Sequence, residues 1–597
     1  MLLSRRKMPG VVLLGLPISL LLFLMWRSDT PLPAFGSSSS SPDLPKPIDW
    51  KTDQSDSYLW KNVKVHNHPD LPLRQLPTNP SVRFPQVQAN FPSESSSQRR
   101  VREERQQAVK AVFSKAWDSY KKKAWLYDEL TPVSGGSRNT FGGWAATLVD
   151  SLDTLWIMGM KAEFEEAVAS ASTIDFTKTE MKEVNVFETN IRYLGGFVSA
   201  FDLSGDVRLL RKAVEVGEML YKAFDTPNRM PITRWTIKDA AEGKVQKTPN
   251  GELVAEIGSL SMEFTRLSIL TGDPRWWDAT QRIMEIFEAQ QDNTNIPGLF
   301  PLVVNPEEEV FYEGDDYTLG AMADSLYEYF PKMSALLGGR SDMYRSMYEN
   351  FVPAATKHNL FRPMTPDGDD ILIAGQAHSR DGGGRIELEP QGQHLVCFLG
   401  GLFALGGKLF SRESDLETAR RLVDGCVYAY KSFPHGVMPE TFYMVPCPNA
   451  AEECRWDEEV WKKQVLQRAN KDSDADKVIK EERLPKGFSA VPDRRYILRP
   501  EAIESVFIMY RATADVGLLE TAWNMFTSID NATSTELANS AVSDITAEGK
   551  PPVSDSMESF WMGETLKYFY LIFSEPGLVS LDDFVFNTEA HPFRRWK

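Results

Sequence analysis

The sequence predicts an all-α domain, arranged as a helical solenoid or a closed α/α barrel. From residue 98 onward, segments with apolar residues at helical spacing follow one another to the end of the chain. Strand-like alternation is confined to the short stretches 298–304, 370–374 and 584–587. Helical hairpins of this length in series suit a solenoid or a toroid. The last residues, 584–591, are aromatic and alternating, where termini are usually polar and frayed. That end is expected to be tucked into the fold.

Taken in order, the chain opens with Arg5, Arg6 and Lys7 before an uncharged run at 9–26 that Arg27 ends. The run has about the minimum length for a membrane span, and no small-x-small cleavage site follows it. Positive charge on its amino side keeps that end cytoplasmic. Residues 1–27 are therefore expected to form a cytoplasmic tail and signal anchor of type II. Residues 28–98 are rich in Pro and Ser and are expected to be a flexible stem. The folded domain is assigned to 99–597. Its helices are expected near 143–158, 186–203, 206–224, 254–271, 274–290, 316–337, 340–356, 391–409, 413–431, 499–515, 517–529 and 556–573. A helix from residue 98, and further ones near 161–171 and 454–466, complete the set. The charged stretch 449–486 reads as a surface excursion or mobile loop.

The formal charge of −17 argues against a nucleic-acid binder, which needs a basic face. Four cysteines, Cys397, Cys426, Cys447 and Cys454, form an even set on the expected lumenal side and read as two disulfides. Three pairings are open, of which 397–426 with 447–454 is the simplest. No CxxC pair suggests zinc. One glycosylation sequon, Asn531-Ala532-Thr533, fits the secretory pathway; Pro80 spoils the one at Asn79.

HExxH, GxSxG and GxGxxG are absent, and the glycine-rich 400–408 lacks P-loop spacing. What remains is a set of acids in apolar helical surroundings. Glu188 and Arg192 stand four apart and share a helix face. Asp324 and Glu328 lie in an aromatic segment. Arg499-Pro500-Glu501 places Glu501 in a first helical turn, where backbone N–H groups favour its ionised form. Glu504, Glu256, Glu263, Glu558 and Glu564 join them. Singly, each reads as an ordinary ion pair or cap, and a lone histidine such as His394 as a satisfied core residue. Together they weigh more, because buried carboxylates are costly unless paired or in use. Two carboxyls flanking a glycosidic bond are the minimum equipment for sugar hydrolysis, and Phe560 and Trp561 offer rings to stack on sugars.

At these residues the sequence resembles glycoside hydrolase family 47, the class I α-1,2-mannosidases. The matching pieces stand in order from about Val101 to His591: Asp128-Glu129-Leu130, Thr147-Leu148-Val149-Asp150 with Asp153, Phe187-Glu188 with Arg192, Asp324-Ser325, His394-Leu395-Val396-Cys397, Arg499-Pro500-Glu501, Glu558-Ser559-Phe560 and Asn587-Thr588-Glu589-Ala590-His591.

The resemblance implies an (αα)7 barrel plugged from one end by a C-terminal β-hairpin. It implies a Ca²⁺ held by the Thr588 hydroxyl and carbonyl, since hard oxygen ligands suit that ion. It further implies inversion at the anomeric carbon, with Glu188 as general acid, acting directly or through a water. Glu501 is then the leading base and Asp324 the acid partner or rival. Arg192, Glu256, Glu263, Arg499, Glu504, Phe560 and Glu564 would bind the sugar, and Cys397 would pair with Cys426. Cys447 and Cys454 fall outside the family pattern. The implied substrates are high-mannose N-glycans, trimmed by a monomer anchored in the Golgi or endoplasmic reticulum membrane. Two residues before Asp324, where endoplasmic-reticulum enzymes carry a branch-reading arginine, this chain has Met322. Broader, Golgi-type or fungal trimming is the expectation. The competing expectation is a glycan-binding or weakly active mannosidase-like factor of glycoprotein quality control. Cys397 and the expected anchor favour the enzyme.

Overall fold

The computed structural model describes residues 48, 59–448, 454–470 and 474–597. The expected anchor lies outside them, and among the described residues no helix is long and apolar enough to cross a membrane.

Fourteen helices carry the architecture among the described residues: α1 (Ser96–Lys123), α2 (Leu152–Ile157), α3 (Lys161–Ala171), α4 (Gly195–Ser204), α5 (Val207–Tyr221), α6 (Ser261–Thr271) and α7 (Pro274–Gln290) in the first half. The second half adds α8 (Asp324–Leu336), α9 (Met343–His358), α10 (Phe398–Leu409), α11 (Glu413–Ser432), α12 (Glu501–Thr513), α13 (Gly517–Thr533) and α14 (Leu566–Ile572). The even-numbered helices touch in succession from α2 to α14. The wide turn Trp561–Thr565 that leads into α14 touches α2. Contacts therefore run round a ring, as in an α-barrel. Each odd-numbered helix packs outside an even one, with α1 against α14.

Sequence pattern accounts for the two layers. Helices α4, α6, α8, α10 and α12 are buried along nearly their whole length, whereas α3 and α9 bury one face only. A helix apolar all round belongs inside, an amphipathic one at the surface. Two of the hairpins use the same device. Gly205 and Gly272 end α4 and α6 at φ 74° and 72°, and Asp206 and Asp273 then cap α5 and α7 by accepting from the N–H two residues on.

Several expectations need correction. The helix expected at 316–337 begins only at Asp324, because Asp316–Tyr317 is a strand and Met322 takes φ 74°. The helix expected at 391–409 opens as the strand Gln391–Gln393. Of the stretches 298–304 and 370–374, only Val303–Val304 and Ile373–Ala374 pair. The helix expected near 454–466 is Glu458–Ala469, and with Ala475–Glu481 it makes residues 454–470 and 474–486 a helical surface excursion, anchored by buried Trp461, Val465 and Val478, and not a mobile loop. Nor are residues 59–95 a free stem. Trp60 and Val87 are fully buried, and the Trp60 indole donates to the Phe176 carbonyl at 3.1 Å.

The C-terminal strands Phe584–Phe586 and Pro592–Arg594 pair antiparallel, Phe584 opposite Arg594. Their side chains are largely buried, with Phe586 against Phe507 of α12 and Tyr568 of α14. Cys397 bonds to Cys426, tying the turn before α10 to α11, and Cys447 bonds to Cys454.

Candidate active site

A cavity of about 580 Å³ opens where the inner helices begin. Asp324 starts α8 and Glu501 starts α12, so each carboxyl sits at the end of a helix where unpaired N–H groups gather. Glu188 stands before a wide, π-helical turn, Thr189–Leu194, that carries Arg192 into the cavity wall. A second such turn, Trp561–Thr565, carries Glu564. Turns of this kind re-aim side chains and recur at functional sites. Thr588 and Glu589 reach the cavity from the C-terminal hairpin.

The sequence expectations converge here. Glu188, Asp324, Glu501, Arg192, Glu256, Arg499, Glu504, Phe560, Glu564 and Thr588 all line the one cavity. Glu263 is the exception. It is fully buried behind the wall, accepting from Asn190 Nδ2 (2.8 Å), Asn587 Nδ2 (2.8 Å) and Tyr329 Oη (2.7 Å). Its partners belong to the hairpin turn and neighbouring helices, so it supports Asn587 rather than facing the cavity. Asn531, the sequon asparagine, is exposed in the last turn of α13.

The carboxyls are pushed in opposite directions. Burial raises the Glu501 carboxyl, but His394 Nδ1 at 2.9 Å and the Arg499 guanidinium outweigh it and hold the group below its ordinary value. His394 is itself fixed through Nε2 on Tyr430 Oη (2.8 Å), and Arg499 donates to Glu440 at 2.6 Å. Asp324 feels the Arg499 guanidinium more weakly than burial. Burial, with Glu328 and Glu501 adding to it, pushes its carboxyl up to about 7 against the bond from Ser325 N–H and the pull of Arg499. Glu188 is bound to Arg192 Nε at 2.9 Å.

Deeper in the site, charges are interleaved. Arg192 also reaches Asp150, Ser559 and Glu589. Lys332 bridges Glu328 and Glu504. Burial raises Glu504 to about 8 despite Lys332, and Glu589 to about 8 despite Arg192. Glu564 is pushed well up by burial and by Glu589 and Glu501.

Behind them the hairpin turn is held by a fully buried trio. Asp153 accepts from His591 Nδ1 at 2.8 Å and meets Lys567 Nζ at 2.7 Å, and Lys567 donates to the Ala590 carbonyl at 2.7 Å. Burial raises the Asp153 carboxyl, but the two cations outweigh it and hold it low. Burial lowers His591, yet Asp153 holds its imidazole above the ordinary value.

Comparison with known proteins identifies the family. Residues 112–595 match glycosyl hydrolase family 47. The chain belongs to this family. It is 35% identical over 500 residues to the human endoplasmic reticulum mannosyl-oligosaccharide 1,2-alpha-mannosidase, a match covering 82% of this chain and 64% of that protein. To the mannosyl-oligosaccharide alpha-1,2-mannosidase of Coccidioides posadasii it is 33% identical over 537 residues, covering 86% and 95%. The solved structure of an alpha-1,2-mannosidase from Trichoderma reesei superposes with a TM-score of 0.71 at 31% identity, covering 83% of this chain and 99% of that one.

Three residues that spacing did not mark as candidates stand around the cavity of this family 47 glycoside hydrolase. His394, Glu440 and Glu589 bond to or crowd the cavity side chains. Their partners lie far off in the sequence: His394 and Glu501 are 107 residues apart, and Glu440 and Arg499 are 59 apart. Spacing carries no signal of that length. The alternation that marked the hairpin did place Glu589 beside Thr588.

Proposed function

We propose that this chain is a calcium-dependent, inverting exo-α-1,2-mannosidase that trims high-mannose N-glycans. One observation supports it above the rest: a single cavity holds one carboxyl kept ionised, Glu501, and another kept protonated towards neutrality, Asp324. Environments that push two carboxyls apart assign base and acid. Glu501 takes a proton from a water as its oxygen bonds to the anomeric carbon, on the face opposite the departing sugar. The glycosidic C–O bond breaks, and its oxygen takes a proton from Asp324, or from Glu188 through a water. His394 keeps Glu501 aimed, and Arg499 keeps it ionised.

Thr588 suits a hard cation. Among the described residues, neither its hydroxyl nor its carbonyl makes a hydrogen bond, whereas its N–H reaches Tyr329 Oη at 3.4 Å. No cluster of three or more His, Cys, Asp or Glu is arranged for a metal among those residues. A Ca²⁺ here would rest on the Thr588 oxygens, with water and sugar hydroxyls completing its shell. Bound, it would orient the sugar ring.

The reading extends to an (αα)7 barrel whose far end the hairpin closes, to a type II anchor at residues 1–27 and to a Golgi or endoplasmic reticulum address with Asn531 glycosylated. Met322 in place of a branch-reading arginine supports trimming beyond a single mannose.

The test is release of free mannose from a nine-mannose N-glycan, with the anomer of the first product followed by NMR. β-Mannose is expected first, and release should stop with a calcium chelator. Glu501→Gln should lower kcat by about 10²–10⁴-fold. Activity should fall as pH drops through the depressed Glu501 value, and again as pH rises through about 7, where Asp324 loses its proton. Asp324→Asn should abolish that upper limb; if Glu188→Gln does so instead, the proton comes from Glu188. Glycan binding without release would make the chain a lectin.

A further inference from the structure

The cavity mouth holds an arginine that the chemistry above leaves unused. Arg234 lies on the strand Arg234–Trp235, which pairs antiparallel with Val184–Asn185, the strand leading into Glu188. Its backbone position is thus tied to the catalytic wall. The side chain is 57% exposed and still lines the cavity. One guanidinium nitrogen meets Glu256 Oε1 at 2.5 Å, and the same oxygen accepts from Asn185 Nδ2 at 2.8 Å. Among the described residues the Arg234 guanidinium makes no other hydrogen bond, so most of its five N–H donors remain for a ligand.

Arg234 compensates the buried Glu256 carboxylate, whose side chain is 7% exposed, but that pairing uses one end of the guanidinium and leaves the rest facing the cavity. What the arrangement does provide is a planar donor fork whose angle is set by Glu256. Such a fork matches two adjacent oxygens, whereas an ammonium offers only a point charge. Met322, 52% exposed at φ 74°, also borders the cavity and offers no donor. The mouth is therefore polar at one place and apolar at another, and a branched sugar entering it meets an asymmetric frame.

Resting on the glycosidase reading, we propose that Arg234 is a specificity-determining residue. Its guanidinium donates to vicinal hydroxyls of sugar units beyond the mannose being cleaved, with Glu256 as its orienting partner. The reacting bond lies deeper, among Glu188, Asp324 and Glu501, so Arg234 acts on which branch is admitted and how tightly.

The experiment compares two substrates, an α-1,2-linked mannose disaccharide and the nine-mannose N-glycan, for the wild-type chain, Arg234→Gln and Arg234→Lys. Arg234→Gln should lose about tenfold in kcat/KM on the large glycan, mostly through KM, and stay within about twofold on the disaccharide. Arg234→Lys should recover only part of the loss, and the order of mannoses removed should change. Melting temperatures should match. Equal losses on both substrates would mean that Arg234 serves only to hold Glu256, and no loss on either would mean that it reads nothing; both outcomes overturn the proposal. No release of mannose by the wild-type chain from either substrate would instead overturn the glycosidase reading beneath it.

Discussion

The two irregular ends of the described chain are both laid against helices, but they are held by opposite means. The hairpin turn at 587–591 is fastened from inside, by Asp153, Lys567 and His591, all fully buried. The strap at 59–95 is fastened from outside. Carboxylates of the helical body accept its backbone N–H groups: Asp225 those of His66 and Asn67, Asp278 that of Arg74, Asp582 that of Val87. Trp60, Val63 and Val87 are its apolar anchors. The hairpin turn supplies Thr588 and Glu589 to the cavity, whereas no residue of 59–95 lines it. Buried charge is expensive and tolerates one geometry; the strap hangs mainly by its backbone, on single carboxylates of which Asp225 and Asp278 are themselves buried. The costly device stands where position matters to chemistry.

The largest effect should come from Asp153→Asn. It removes the counter-charge of buried Lys567 and the nearer of the two carboxylates beside His591, leaving Asp150 at 3.6 Å, which costs about 3–5 kcal/mol. Urea unfolding should show that loss, and mannose release should fall further than the folded fraction does, because the turn carrying Thr588 is freed. Full activity per folded molecule would show that the trio holds the fold and not the site. Trp60→Ala should come next, at about 3 kcal/mol for a large buried ring. Here the comparison makes the opposite demand: kcat and KM, measured well below the lowered melting temperature, should match the wild type. A changed kcat would mean that the strap reaches the cavity after all.

The difference also decided what could be read from sequence. The hairpin announced itself because its alternating aromatics, Phe584 and Phe586, make little sense in water, and Thr588 and Glu589 follow at once. The strap did not. Its Pro-rich composition reads as open chain, and the aspartates that hold it, Asp225, Asp278 and Asp582, lie between 158 and 495 residues from their partners. The same contrast holds within the site. Glu188 with Arg192 is a local pair and was legible, as was Glu501 behind Pro500. Glu263 was a candidate because an acid in an apolar helix is anomalous, and the family resemblance put it in the sugar site. The anomaly was real, but Asn190, Asn587 and Tyr329 explain it. His394 read as an ordinary core histidine, since nothing local distinguishes a histidine that orients a base from one that fills space. Composition and periodicity report burial; what a buried polar group is for depends on the partner that folding brings to it.

The smallest effect sharpens the contrast from the other side. Arg74 bonds to Glu285 at 2.7 Å and lies 3.5 Å from Asp278, with 34% of its side chain exposed. It is the most salt-bridge-like of the strap's fastenings, yet water already solvates it, so Arg74→Ala should cost less than about 1 kcal/mol. Its backbone N–H keeps its bond to Asp278 at 2.8 Å in the variant, so the strap should stay in place. Calorimetry at low and high salt tests this. Wild type and variant should converge as ionic strength screens the exposed pair, while Asp153→Asn stays apart from wild type at every salt concentration, because no counter-ion reaches the trio. Convergence of all three would mean that the hairpin trio is wetter than its burial indicates, and the distinction between the two ends of the chain would fall with it.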